Sequence, residues 1–330
     1  MDERNEIISQ VLELLDTACQ ASLELFELFG AGNVKETMLL LQDLRAASRS
    51  VSETGLASQL EHSCAVEMQE NIEDTLDEIE RAIHSEDTGR AAMKMEFQLF
   101  PFLRQLKECI SFWGTVYPDP ERMSAYYQNV FAERAQNYYL QPGQPAAYQL
   151  SIVVPAYNHL ETTKRCIDQL LKETDFEALR AELILMDHGS TDGTLEYLEG
   201  LGIGKVIHFK KNVRMNMFTT MFQICQGEYL VYISNDILVT KNWAEILLTC
   251  LKSDPNIIVA VPATPNIANF QMLHSPTNDP DAFVRWADGQ NRSDPLRWSD
   301  RARVMPPIGM YRSCAVNQIG FADPYFYTME

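Results

Sequence analysis

The chain has 330 residues, 46% of them hydrophobic, 22% charged and 10% aromatic, with a formal net charge of −19. This composition is globular and excludes both disorder and collagen-like repeats, and no apolar run is long enough for a membrane-spanning helix. So acidic a surface argues against charge-driven binding to nucleic acid or anionic lipid. The opening residues MDERNE do not resemble a secretory signal. Seven cysteines are scattered with no C-x-x-C pair, which suits a reduced, cytoplasmic protein, either free or peripheral to the inner face of the membrane.

Charge and texture both change near residue 148. Up to Tyr148 there are 11 basic and 25 acidic residues; from Gln149 onward there are 16 and 21. The first part has helical periodicity. Ile8, Leu12, Leu15, Cys19, Leu23 and Phe26 step by three or four, and so do Leu60, Cys64, Met68, Ile72, Leu76, Ile79 and Ile83. Further helices are expected near Val34–Ser50, Ala91–Trp113 and Glu121–Tyr138. Short breaks between them favour an intramolecular antiparallel bundle over a dimeric coiled coil. Residues 1–140 carry no metal-ligand or nucleophile constellation; partner binding or self-association is their other expected use. Residues 141–148 read as a linker, with Gln141-Pro-Gly-Gln-Pro145 at its start.

Beyond the linker the period alternates. Strands are expected at Tyr148–Val154, Glu182–Met186, Lys205–Phe209, Tyr229–Ile233 and Ile257–Val261. Helices are expected at His159–Lys172, Asp192–Glu199, Met215–Gln226 and Asn242–Leu251. Such alternation predicts an α/β domain over residues 149–330 with a mainly parallel central sheet. Ligands then bind beyond the carboxyl ends of the strands.

The first strand runs into Pro155-Ala156-Tyr157-Asn158, where proline should stop the ladder and Tyr157 could flank a planar base. The second ends in Asp187-His188-Gly189, followed by Ser190-Thr191-Asp192-Gly193. Ser190 or Thr191 could cap the next helix. His188 is a lone histidine, either a base or metal ligand or a hydrogen-bonded turn residue. The strand Tyr229–Ile233 leads into Ser234-Asn235-Asp236. Asp236 either caps a turn or meets a divalent cation, because Mg²⁺ binds through one or two carboxylates plus phosphate oxygens. Phosphate-loop, H-E-x-x-H and G-x-S-x-G motifs are absent, and Gly200-Leu-Gly202-Ile-Gly204 precedes a strand where a dinucleotide fingerprint would follow one.

Four segments in order resemble the family 2 glycosyltransferases: Ser151-Ile-Val-Val-Pro-Ala-Tyr-Asn158, Leu183-Ile-Leu-Met-Asp-His-Gly-Ser-Thr-Asp-Gly-Thr194, Gly227-Glu-Tyr-Leu-Val-Tyr-Ile-Ser-Asn-Asp236 and Gly320-Phe-Ala-Asp-Pro-Tyr-Phe326. Asn212 falls between the second and the third. The resemblance implies a GT-A fold that uses a nucleotide-diphospho-sugar and Mn²⁺ or Mg²⁺. Pro155, Ala156 and Tyr157 match the first nucleotide-contacting loop. Asp187 matches the carboxylate that holds the base, typically uracil. Asn235 and Asp236 fall in the D-x-D metal motif, Asp236 as its last acid and Asn235 on the donor side. Asn212 and Arg214 lie in the segment lining the ribose and diphosphate, and Arg214 stands where glycine is common. Glu330 aligns with the first acid of the pair that supplies the catalytic base, and the second position is absent, so the domain is expected to be truncated at that end.

The expected activity is inverting transfer of a sugar from a nucleotide-diphospho-sugar, UDP-linked first, to a hydroxyl of a glycan, lipid-linked or protein acceptor. Bacterial surface polysaccharide synthesis or protein glycosylation would be the setting. The alternatives are a non-catalytic nucleotide-sugar-binding protein and a scaffold acting through the acidic helices.

Overall fold

The computed structural model describes residues 3–60, 63–126, 145–265, 271–277, 279–300, 304 and 307–315. Packing divides them into two compact units. The first takes in the described residues up to 126 together with Ile207–Ile224; the second takes in residues from 145 to Val206 and from Cys225 to 315. The division by packing therefore differs from the sequence division at 141–148, because Ile207–Ile224 belongs with the helices.

In the first unit, α1 (Glu3–Gly30), α2 (Val34–Glu53) and α3 (Ala65–His84) are followed by a continuous helical run from Thr88 to Val116. That run comprises α4 (Thr88–Lys94), a π-turn at Met95–Leu99, α5 (Phe100–Ser111) and a second π-turn at Phe112–Val116. It starts three residues before the expected Ala91 because the Asp87 side chain accepts the Arg90 N–H at 3.0 Å, an N-cap. Pro101 explains the first π-turn. Its ring would strike the carbonyl four residues back and it donates no hydrogen bond, so the ladder widens just upstream. The helix α1 packs on α2 and α5, and α3 packs on α2, α4 and α5. Thus the apolar stripes close on one another within one chain, as a bundle. The stripe along α3 is buried from Leu60 to Ile79, with Ile83 only half-buried at the helix end, whereas α1 is rotated toward its end: Leu25 is buried and Leu23 is 42% exposed.

The segment Ile207–Ile224 contains a 3₁₀ turn at Arg214–Asn216 and α8 (Met217–Ile224), which packs on α5. Phe209 is buried against Phe102, with ring centroids 4.8 Å apart. The expected helix at Met215–Gln226 is therefore shorter and begins as a 3₁₀ turn.

The second unit is built on a six-stranded mixed sheet in the order β3-β2-β1-β4-β6-β5. Its strands are β1 (Tyr148–Ala156), β2 (Ala181–Asp187), β3 (Lys205–His208, which crosses the unit boundary), β4 (Gly227–Ile233), β5 (Val259–Ala260) and β6 (Ile308–Arg312). β1 is parallel to β2 and β4, while β6 runs antiparallel to β4 and β5. The helices are α6 (Leu160–Glu173), α7 (Thr194–Gly200), α9 (Trp243–Ser253) and α10 (Pro280–Gln290). Ile152, Val154, Leu185, Val231 and Ile233 form one core with Ile167 and Leu170 of α6 and Leu248 and Leu251 of α9. Leu150–Ala156 is buried throughout, as a strand in the middle of a covered sheet must be.

Pro155 does not stop β1, which continues to Ala156 with Pro155 opposite Met186. The Ala156 carbonyl accepts the His188 N–H at 2.9 Å, so Ala156 faces β2 and Pro155 faces the β4 side. Pairing to β4 has already ended at Val153–Tyr232. The missing N–H of proline therefore leaves no ladder bond unmade. The antiparallel β6 was not legible as a strand. It holds its place through Arg312, whose guanidinium donates to the carbonyls of Ile257 (2.8 Å) and Leu251. No helix among the described residues is long and apolar enough to cross a membrane.

Candidate active site

The strand order turns back between β1 and β4. In an open α/β sheet, the crevice outside the carboxyl ends of such neighbours is where ligands bind. Three turns meet at this end of the second unit, after β1, β2 and β4.

The first two turns are clasped together. Asn158 and His159 take left-handed backbone angles, φ 55° and 59°, which release the chain sharply from β1 into α6. The Asn158 N–H donates to Ser190 Oγ at 2.8 Å, and Asn158 Oδ1 accepts the Thr191 N–H at 2.9 Å. Asp192 serves two helices at once. Its Oδ2 accepts the Leu160 N–H at 2.9 Å, and its Oδ1 accepts the Thr194 N–H at 3.2 Å and hydroxyl at 2.6 Å. These bonds, the Thr194 hydroxyl foremost, hold the Asp192 carboxyl below its ordinary value. Capping thus falls to Asp192; of the two expected candidates, Ser190 and Thr191, both bind the neighbouring turn through Asn158 instead.

This clasp frames Asp187. The residue is fully buried at the end of β2, opposite Ala156. Its Oδ2 accepts the N–H groups of Gly189 (3.1 Å) and Ser190 (3.2 Å), which orient the carboxylate. His188 is also buried, at 3% exposure. Pro155 and Ala156 are buried inside β1, whereas Tyr157 is half exposed at the rim.

The third turn is anchored to α6. Asn235 Nδ2 donates to Thr163 Oγ1 at 2.9 Å, Cys166 Sγ donates to the Ser234 carbonyl at 3.6 Å, and Gln169 Nε2 donates to the Val239 carbonyl at 2.9 Å. Thr163, Cys166 and Gln169 are three residues apart on one helix face, and sequence reasoning missed all three. Their signal was a stripe of hydrogen-bonding side chains at helical spacing on a helix of the α/β unit. Burial pushes the Cys166 thiol up to about 12, so it is a structural thiol. Asp236 is exposed at the turn. Tyr232 is held above its ordinary value, first by burial and then by the Asp236 charge.

No group of three His, Cys, Asp or Glu side chains among the described residues could hold a metal ion. A lone exposed carboxylate fits a divalent ion only where the donor's phosphate oxygens complete the shell, the usual manner of Mg²⁺. A cavity of about 940 Å³ in this unit is lined by Ile237, Thr240, Trp243, Trp286, Arg292 and Trp298. Tyr157, Asp187 and Asp236 do not line it, so it is no guide to where a nucleotide sits. Asn212 and Arg214 belong to the first unit. Glu330 and the Gly320–Phe326 segment lie outside the described residues.

Residues 151–315, half the chain, match the family described as glycosyl transferase family 2. The chain belongs to that family. Its α/β unit accordingly has the GT-A fold, preceded by a helical bundle. Residues 6–109 match a domain of unknown function, DUF8042. The glycosyltransferase GlyG of Streptococcus pneumoniae serotype 4 is 29% identical over 103 residues, 30% of this chain and 33% of that protein. A cholesterol galactosyltransferase of Borreliella burgdorferi is 30% identical over 118 residues, 34% of this chain and 32% of that protein. The chain thus spans about a third of the length of each relative. The structure of S. aureus TarS 1-349 is 15% identical over 51% of this chain and 48% of that one, with a TM-score of 0.37, too low to add to the family match.

Proposed function

We propose that the protein is an inverting glycosyltransferase that moves a sugar from a UDP-sugar to an acceptor hydroxyl. The observation that supports this best is Asp187: a fully buried carboxylate at a strand end, beside the switch point, inside a family 2 segment. Asp187 accepts a hydrogen bond from the uracil ring, with its orientation set by Gly189 and Ser190. Tyr157 covers the base from the rim. Asp236, together with the donor's phosphates, would hold Mn²⁺ or Mg²⁺, and a bound ion would supply positive charge to offset that of the leaving diphosphate. By family resemblance Asn212, Arg214 and Asn235 also serve the donor, although Asn235 spends its amide N–H on Thr163. Glu330 is assigned by the same resemblance as the base that takes the acceptor proton, a contribution of roughly 10²–10⁴ in rate.

Thermal stabilisation of the full chain tests this reading. UDP or a UDP-sugar at 100 times its dissociation constant, with Mn²⁺, should add about 2.7 kcal/mol. Asp187→Ala should lose that stabilisation, and Asp236→Asn should lose only its Mn²⁺ dependence. An absence of stabilisation by any nucleotide-sugar, or unchanged UDP affinity in a folded Asp187→Ala variant, would refute the proposal.

A further inference from the structure

Three amide side chains of the helical bundle are almost fully buried: Asn71 on α3, Gln98 in the first π-turn and Gln105 on α5. A buried amide must find partners or lose stability. Each finds at least one on the backbone of Ile207–Ile224, and Gln98 Nε2 also donates to Thr75 Oγ1 on α3 at 2.9 Å. Asn71 Oδ1 accepts the Lys211 N–H at 2.9 Å, and its Nδ2 donates to the Lys211 carbonyl at 3.3 Å. Gln98 treats His208 the same way: its Oε1 accepts the His208 N–H at 3.3 Å and its Nε2 donates to the His208 carbonyl at 2.8 Å. Gln105 Nε2 donates to the Asn216 carbonyl at 2.6 Å, while its Oε1 accepts the Thr220 hydroxyl at 2.8 Å. Acidic residues of α3 add ion pairs around these bonds, Glu70 to Lys211 at 3.1 Å and Asp74 to Lys210 at 3.7 Å.

Two of these grips, on Lys211 and Asn216, bracket a strained turn. Arg214 has φ 51°, in the left-handed region that disfavours a side chain. Asn212 Oδ1 accepts the Arg214 N–H at 2.7 Å inside the turn. Such a conformation persists only where its surroundings over-determine it. The amide grips bind backbone, so they dictate the path of the segment and leave the Arg214 side chain exposed.

We propose that the helical bundle is a clamp that sets the donor-binding geometry of the Asn212–Arg214 turn, with Asn71, Gln98 and Gln105 as positioning residues. The inference rests on the reading that this turn serves the nucleotide-sugar. It gives the bundle a role inside the transferase in place of one as a separate scaffold.

Hydrogen exchange and UDP titration on the full chain test it together. Asn71→Ala should speed exchange of the amides from 207 to 216 while β1 and β2 keep their protection. It should also weaken UDP affinity about tenfold, the loss expected from two hydrogen bonds. Asn71→Asp retains the acceptor for the Lys211 N–H and should fall between parent and alanine in both measurements; it also serves if the alanine variant fails to fold. Uniformly faster exchange would mean a merely structural role and overturn the proposal. So would local loosening with UDP affinity unchanged. A parent chain that binds no UDP would instead overturn the donor reading, and the clamp's function with it.

Discussion

The pair Glu78–Lys94 offers a sharp test of how the helical bundle is held. Lys94 is 1% exposed and its Nζ lies 2.5 Å from Glu78 Oε2; Glu78 is itself 7% exposed. The two partners are not equally dependent on each other. Glu78 also has Arg90 at 3.6 Å, with the arginine 39% exposed. Among the described residues, the other partner of Lys94 is neutral, a long 3.5 Å hydrogen bond to Gln98 Oε1. Removing the acid therefore strands a buried cation, whereas removing the lysine leaves an anion that still has a counter-charge. Loss of one partner of a buried pair costs about 3–5 kcal/mol. Glu78→Leu should reach that range, and Lys94→Met should cost about 1–3 kcal/mol because Arg90 remains. The double variant trades both charges for apolar volume and should come within about 1 kcal/mol of the parent, since the desolvation cost disappears with the pair. Urea denaturation followed by far-ultraviolet circular dichroism would measure all three. The coupling between the two changes should be about 3 kcal/mol or more. If Glu78→Leu is no worse than Lys94→Met, or the double variant shows the sum of the two losses, the asymmetry derived from Arg90 is wrong.

Two further expectations concern the α/β unit. A Cβ at Gly227 would lie 2.5 Å from the Ser151 nitrogen and 2.7 Å from the Leu150 carbonyl carbon, both backbone; Gly227→Ala should therefore push β4 off β1 and cost about 1–3 kcal/mol in urea denaturation, and a neutral result would show that the ladder can shift freely. Asp192 has a folded carboxyl held below its ordinary 3.8, so the stability it contributes is present above that value and is lost as pH falls through the folded one. The parent should lose melting temperature below about pH 4 more steeply than Asp192→Ala; parallel curves would mean that the double cap contributes nothing.

Much of the fold was legible in the sequence because it rests on local regularities. The switch from a period near 3.6 to buried strand runs at Tyr148 located the α/β unit, and the stripe from Leu60 to Ile79 faces the core as its spacing implies. Asp187 could be singled out as a carboxylate closing an apolar strand, and Arg214 as a residue standing where glycine is common; the structure gives it a positive φ. Other features depend on partners far away in the chain. The strand β6 is inserted between β4 and β5, and nothing in Ile308–Arg312 announces that neighbour. Along α3 and α5, nothing in the local pattern marks Asn71 and Gln105 as buried. Their acceptors and donors lie 140 and 111 positions away, where no periodicity reaches. Sequence alone determined the main bundle helices and the strands β1 to β5, because propensity and patterning act over a few residues. Tertiary structure decided that Ile207–Ile224 packs with the bundle, because buried amides must be satisfied and the backbone that satisfies them is brought close only by the completed fold.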